Sequence, residues 1–198
     1  MGTVTMVEFL TVDGVMQGLG SAEEDTDGGF TRGGWGAEYA AGVGRLLPPG
    51  GFSATAAYLF GRRTFERMAA FWPHQPDDDP MAAHLNRTPK YVVSRSRMDA
   101  AWSGTRTLSG PVADSVPELT RAIAGEIVIL GSGMLCRELL ERDLVDRLQL
   151  FIHPLLLGSG KRLFGDLPRP RRLSLVSVDS SDLGTVGVVY EVRHLADT

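Results

Sequence analysis

Three short stretches of the chain hold residues suited to gripping phosphate. "GRRT" at 61–64 places Arg62 and Arg63 between Gly61 and Thr64. The apolar "ATAAYLF" ends there and a helical pattern begins, with Phe65, Met68 and Trp72 on one face. "VVSRS" at 92–96 ends a second apolar run in Ser94, Arg95 and Ser96. Two hydroxyls and a guanidinium suit a phosphate monoester, which accepts several charge-assisted hydrogen bonds. "ILGSGML" at 129–135 ends a third run in Gly131, Ser132, Gly133, Met134 and Leu135. Its glycines let a pyrophosphate approach the backbone, and the helix that follows offers free N–H groups and a partial positive charge. It is not the dinucleotide fingerprint, because Cys136 stands at the last glycine position. Each stretch alone also reads as a plain turn or an exposed loop. Together they read as one site, since ligands of open α/β sheets bind at the carboxyl ends of strands. A dinucleotide with an extra phosphate engages all three.

Other residues carry two readings each. Asp13 precedes Gly14 and is either a turn former or a contact to substrate or cofactor. His153 is a proton donor or a satisfied core residue. "GSGK" at 158–161 is not a phosphate loop, because Leu155 and Arg162 stand where that motif needs glycine and a hydroxyl. The four histidines have no paired metal spacing, so no metal site is expected.

The elements that position these residues follow from periodicity. Strands are expected over 3–12, 53–60, 90–94, 105–109, 126–130 and 145–157, with a closing hairpin at 172–178 and 186–193. A glycine-rich loop covers 13–34. Trp35, Tyr39, Val43 and Leu46 give a helix stopped by Pro48-Pro49. Helices follow over 62–71, from Asp79-Pro80 to Leu85, and over 132–141. Ser115 and Glu118 form a capping box that starts another helix, which ends at Gly125. Alternating β and α with an all-β tail gives a single α/β domain over 1–198, a three-layer αβα fold. Its mixed sheet is mainly parallel, with an antiparallel C-terminal edge.

Composition narrows the function. The 198 residues are 43% hydrophobic and 22% charged, an ordinary globular balance. A net charge of −4 disfavours nucleic acid and anionic membranes as partners. One cysteine excludes an internal disulfide. Neither a signal-peptide pattern nor a membrane-length apolar run is seen, so the cytoplasm is the expected compartment.

The three phosphate stretches, in their order and spacing, resemble the cofactor motifs of the dihydrofolate reductase fold. "TVDGVMQ" and "HPLLLGSGKRLFGD" resemble a broader branch that includes the reductase domain of the riboflavin-biosynthesis deaminase–reductase. The resemblance implies NADPH as cofactor. Arg62 matches the residue at the adenosine 2′-phosphate, with Ser94, Arg95 and Ser96 completing that pocket. Arg63 and Thr64 sit over the pyrophosphate beside Gly61. Gly131 to Leu135 wrap its other side and approach the nicotinamide ribose. Loop 13–34 becomes a flap beside the nicotinamide, mobile until ligand orders it. The branch also implies a homodimer.

The departures concern the substrate. The family carboxylate five residues after the first-helix tryptophan is Ala40 here, and the nearest acid is Glu38. The acidic residue that precedes the glycine pair in riboflavin-pathway reductases is Leu130, and the zinc deaminase motif is absent. The expected activity is hydride transfer to a C=N or C=O bond of a small, pteridine- or pyrimidine-like substrate. Asp13, Glu38 or ordered water supplies the proton. The alternatives are a non-catalytic NADPH sensor and a homodimeric interaction module.

Overall fold

The computed structural model describes residues 1–47, 51–76, 78–96, 98 and 102–194. Pro48-Pro49, the expected stop of the first helix, lies outside the described residues. In chain order the strands are β1 (Thr3–Thr11), β2 (Thr55–Gly61), β3 (Lys90–Val93), β4 (Thr105–Leu108), β5 (Glu126–Leu130), β6 (Arg147–His153), β7 (Leu173–Ser180) and β8 (Val186–Val192). The helices are α1 (Ala40–Leu46), α2 (Arg62–Phe71), α3 (Pro80–Arg87), α4 (Val112–Ala122) and α5 (Gly133–Glu141). They surround one sheet of order β4-β3-β2-β5-β1-β6-β8-β7. The pairs from β4 to β6 are parallel; β6 with β8 and β8 with β7 are antiparallel.

Both faces of the central strands are covered, which is why their sequences run almost continuously apolar. On one face Met6, Leu10, Ile127 and Ile129 pack against Val116 and Leu119 of α4 and Leu135 and Leu139 of α5. On the other, Val7, Tyr58, Phe60 and Phe151 meet Phe65 of α2 and Leu85 of α3. The three expected layers are present, with the antiparallel edge at the C-terminal end.

Local chemistry sets the element ends. Asp79 caps α3, its carboxylate accepting from the amides of Met81 and Ala82 at 2.8 and 2.9 Å. The expected capping box at Ser115 is corrected: α4 starts a turn earlier, at Val112, and ends at Ala122 rather than Gly125. Ser115 lies inside it and donates its hydroxyl to the Pro111 carbonyl. The extra turn places Val112 four residues before Val116, so both are buried on one face. Strand β6 ends at His153 rather than at 157, because Pro154 cannot continue a ladder.

Lys90, at the start of β3, is fully buried. Its Nζ donates to the carbonyls of Leu85, Thr88 and Asn86 at 2.6, 2.8 and 3.3 Å. It also stands 4.6 Å from the centre of the Trp102 ring. The lysine thus satisfies carbonyls at the end of α3 that helix geometry leaves open. Burial pulls its pKa down to about 8. Lys90→Met is expected to lower unfolding free energy by about 1–3 kcal/mol, because buried carbonyls lose their donor. Urea unfolding measures this, and an unchanged midpoint contradicts the capping role.

Candidate functional site

The sheet order sets the three phosphate stretches side by side, since β3, β2 and β5 are consecutive neighbours. The turn after β2 and the turn after β5 are joined directly: the Gly61 amide donates to Ser132 Oγ at 3.0 Å. Gly131 and Ser132 both have positive φ, 68° and 66°. A serine in that region is uncommon and costs backbone strain. Here its hydroxyl, aimed at Gly61, locks the two turns together. Neither α2 nor α5 has a side-chain cap at its N-terminus. First-turn amides therefore have no side-chain acceptor within the chain.

The third stretch joins through Arg62. Its guanidinium donates to Ser96 Oγ at 2.6 Å and to Glu66 Oε1 at 2.7 Å. Ser94 Oγ donates to the Ser96 carbonyl at 2.8 Å, which shapes the turn. Arg95 is exposed at the same strand end. Leu135 turns its side chain into the core at 6% exposure, so only its amide is left for a ligand, whereas Met134 is 76% exposed. Arg63 turns the other way, toward loop 13–34, and pairs with Asp27 at 2.9 Å.

That loop has a core of its own. Val15, Phe30 and Trp35 pack with Leu157, and Val15 bridges to Arg162. Gln17, 4% exposed, is its internal clamp. The Gln17 amide group donates to the carbonyls of Asp25 and Asp27 at 3.1 and 3.0 Å, and its Oε1 accepts from the Lys161 amide at 2.9 Å. Met16 fills the space where a side chain on Gly133 would stand. The loop therefore lies against the start of α5.

The two acids picked from sequence occupy different settings. Asp13 accepts from the Thr11 hydroxyl at 2.6 Å and from the amides of Leu157 and Gly158 at 3.1 and 2.8 Å. Those donors, the Thr11 hydroxyl foremost, hold its pKa down at about 2. A carboxylate so held stays ionised at neutral pH and has no proton to give. Glu38 is exposed on a single 3₁₀ turn, Ala37–Tyr39, before α1. His153 is buried, and burial lowers its pKa to about 4, so the ring is neutral at pH 7. Its Nδ1 is 3.0 Å from Thr185 Oγ1, and its Nε2 has no partner among the described residues. Phe9, Trp35 and Tyr39 surround it, the Tyr39 ring centre at 4.9 Å.

Several residues escaped the sequence reading. Glu8 is buried in β1, and burial pushes its pKa up to about 8. Cys136 donates its thiol to Glu8 Oε1 at 3.2 Å, and burial with the neighbouring carboxyl raises the thiol pKa. Alternation alone marks Glu8 as misplaced in an apolar strand, but not its partner. Lys161, Asp25 and Asp27 form an ion cluster that charge counting cannot place. Among the described residues no group of histidine, cysteine or acidic side chains could hold a metal. No helix among them is long and apolar enough to cross a membrane.

Residues 2–186 match the family described as the RibD C-terminal domain. The uncharacterized protein YyaP of Bacillus subtilis is 27% identical over 135 residues, which span 67% of this chain and 71% of that protein. A putative riboflavin biosynthesis protein from a Shewanella species is similar in structure, with a TM-score of 0.67 at 17% identity. The likeness covers 97% of this chain and 99% of that one. Dihydrofolate reductase from Enterococcus faecalis, solved with NADP(H), has a TM-score of 0.55 at 15% identity over 97% of each chain. These likenesses establish the dihydrofolate-reductase-like fold expected from the three phosphate stretches.

Proposed function

The chain belongs to the RibD C-terminal domain family, and from that premise we propose that it is a cytoplasmic, NADPH-dependent reductase of a small heterocyclic substrate. One observation carries this reading. The Gly61–Ser132 hydrogen bond fuses two uncapped helix N-termini into one anion cradle, and Arg62 ties that cradle to Ser96. The donor set suits NADPH. The amides opening α2 and α5 would hold a pyrophosphate, while Arg62, Ser94, Arg95 and Ser96 would serve a phosphate monoester.

When bound, the nicotinamide supplies a hydride for a C=N or C=O bond of a pteridine- or pyrimidine-like ring. The residues of the chain orient both partners. Phe9 stacks on the buried Phe151 at 4.9 Å between ring centres, and of the rings around His153 only Phe9 and Tyr39 are half-buried and so offer apolar surface to a planar ring. The loop carrying Met16 packs beside Gly133 at the start of α5. Asp13 anchors the turn that carries this loop and holds Leu157–Gly158 in place. The proton comes from solvent, directly or relayed through the exposed Glu38, since Asp13 and His153 hold none to donate at neutral pH.

Turnover tests the reading. NADPH absorbance is expected to fall when the protein meets a pteridine or aminopyrimidine with a reducible C=N or C=O bond. The lack of a buried, protonated acid at Asp13 favours a second reading, a NADPH sensor. NADPH binding without consumption across such a panel selects the sensor and rejects the reductase.

The partner is a second copy of the chain. Leu173, Leu175, Val176 and Val178 are each 40–59% exposed on β7, the open edge of the sheet. An apolar sheet edge of this kind calls for a cover. Light scattering at micromolar concentration is expected to give twice the 21.4 kDa chain mass. A monomer mass there contradicts the dimer.

A further inference from the structure

The loop's acidic stretch reaches across to the proposed phosphate cradle. Asp27 Oδ2 is 2.9 Å from Arg63 and 2.8 Å from Lys161 Nζ. Asp25 is 2.8 Å from Lys161 Nζ and 3.4 Å from Arg67. Three cations from two distant parts of the chain, α2 and the segment after β6, thus converge on two carboxylates. The neighbours hold both acids in their charged forms. Lys161, and Arg67 beside it, draw the Asp25 pKa down to about 2 against the opposing effect of its burial, and Lys161 lowers that of Asp27.

The placement is enforced. Gln17 grips the carbonyls of Asp25 and Asp27 while accepting from the Lys161 amide. Trp35 in turn donates its Nε1 to the Gln17 carbonyl at 2.7 Å. Two carboxylates facing Arg63, Arg67 and Lys161 reproduce the charge pattern of a pyrophosphate against the same side chains. The α2 N-terminus, whose second residue is Arg63, has no side-chain cap of its own.

We propose that Asp25 and Asp27 are built-in phosphate mimics that latch the flap, and that Lys161 joins Arg63 as a ligand of the cofactor pyrophosphate. Resting on the NADPH reading above, this adds a residue to the site and a coupling to the flap. In the empty protein the carboxylates hold Arg63 and Lys161. An arriving pyrophosphate takes over those cations and releases Asp27, so binding and loop rearrangement become one exchange. The cations are never left unpaired, and NADPH affinity is reduced by the strength of the pairs it breaks.

Two variants separate the latch from a merely structural salt-bridge cluster. Asp27→Asn removes the internal competitor. It is expected to bind NADPH about three- to tenfold more tightly, given that exposed ion pairs contribute modestly. Lys161→Met removes a ligand and is expected to bind NADPH about three- to tenfold more weakly. Both are expected to speed amide hydrogen exchange across residues 21–30 in the empty protein. Opposite shifts in affinity with the same shift in exchange support the latch. A cluster that only stiffens the loop moves both affinities in the same direction, and that result overturns it, as do unchanged affinities. Failure of the wild-type protein to bind NADPH removes the underlying reading as well as the latch.

Discussion

Arg62→Ala is expected to weaken NADPH binding by roughly 10- to 100-fold while leaving NADH nearly untouched. The magnitude follows from the roughly 1.5–3 kcal/mol that a hydrogen bond to a charged group contributes. The selectivity follows from position. Arg62 is tied to Ser96 at the end of β3, on the proposed 2′-phosphate side, and only NADPH carries that phosphate. Arg63→Ala is expected to weaken both cofactors, because both carry the pyrophosphate. Arg95→Ala is expected to resemble Arg62→Ala. Raised salt lowers NADPH affinity in the same sense by screening. Fluorescence titration with each cofactor checks this. Equal losses for NADPH and NADH in the Arg62 variant contradict the assignment of the two arginines.

Glu8→Gln is expected to stabilise the protein at pH 8 and to leave it almost unchanged near pH 4.5. Burial raises the Glu8 pKa from 4.5 to about 8 in the folded state. Below pH 4.5 the carboxyl is protonated whether the chain is folded or not. Between pH 4.5 and 8 the folded state keeps a proton that the unfolded state has lost, so stability falls as pH rises through that window. The full loss is about 4–5 kcal/mol at its upper bound. Glutamine keeps the shape and a carbonyl that can accept from Cys136, and it has no proton to lose. His153 works in the opposite sense between about pH 4 and 6.5, since burial lowers its pKa. The difference between variant and wild type isolates Glu8 from it. Urea unfolding of both proteins at pH 5 and pH 8 provides the test. Parallel pH dependence in the two contradicts a protonated Glu8.

Where one local signal decided the outcome, the sequence was legible. Asp79-Pro80 announced α3 because an acceptor before a proline has few other uses at a helix start. The glycine turns after β2 and β5 were visible as apolar runs ending in glycine. The fold class followed from alternation. Elements governed by tertiary contacts were harder. The start of α4 moved because Val112 gains burial, and no capping pattern announces that gain. Lys90 reads as an ordinary strand-end lysine, yet its buried partners are carbonyls of the preceding helix, which carry no sequence signature. In the proposed site, Gly61, Arg62, Ser94, Ser96 and Ser132 stand at strand ends, which are readable one at a time. Their union through Ser132 required the sheet order. Asp13 resembled an acid poised for chemistry, but its backbone donors lie more than 140 positions away, at Leu157 and Gly158. The Asp25–Asp27–Lys161 cluster was equally hidden by separation along the chain.

In the proposed function, the joined ends of β2, β3 and β5 hold NADPH. Titrating the wild-type protein with NADPH and with NADH, following nicotinamide fluorescence, tests it most directly. Saturable binding of NADPH, at least tenfold tighter than NADH at moderate salt, is the predicted result, about 1.4 kcal/mol or more for the 2′-phosphate. No binding of either nucleotide contradicts NADPH as the ligand of these strand ends.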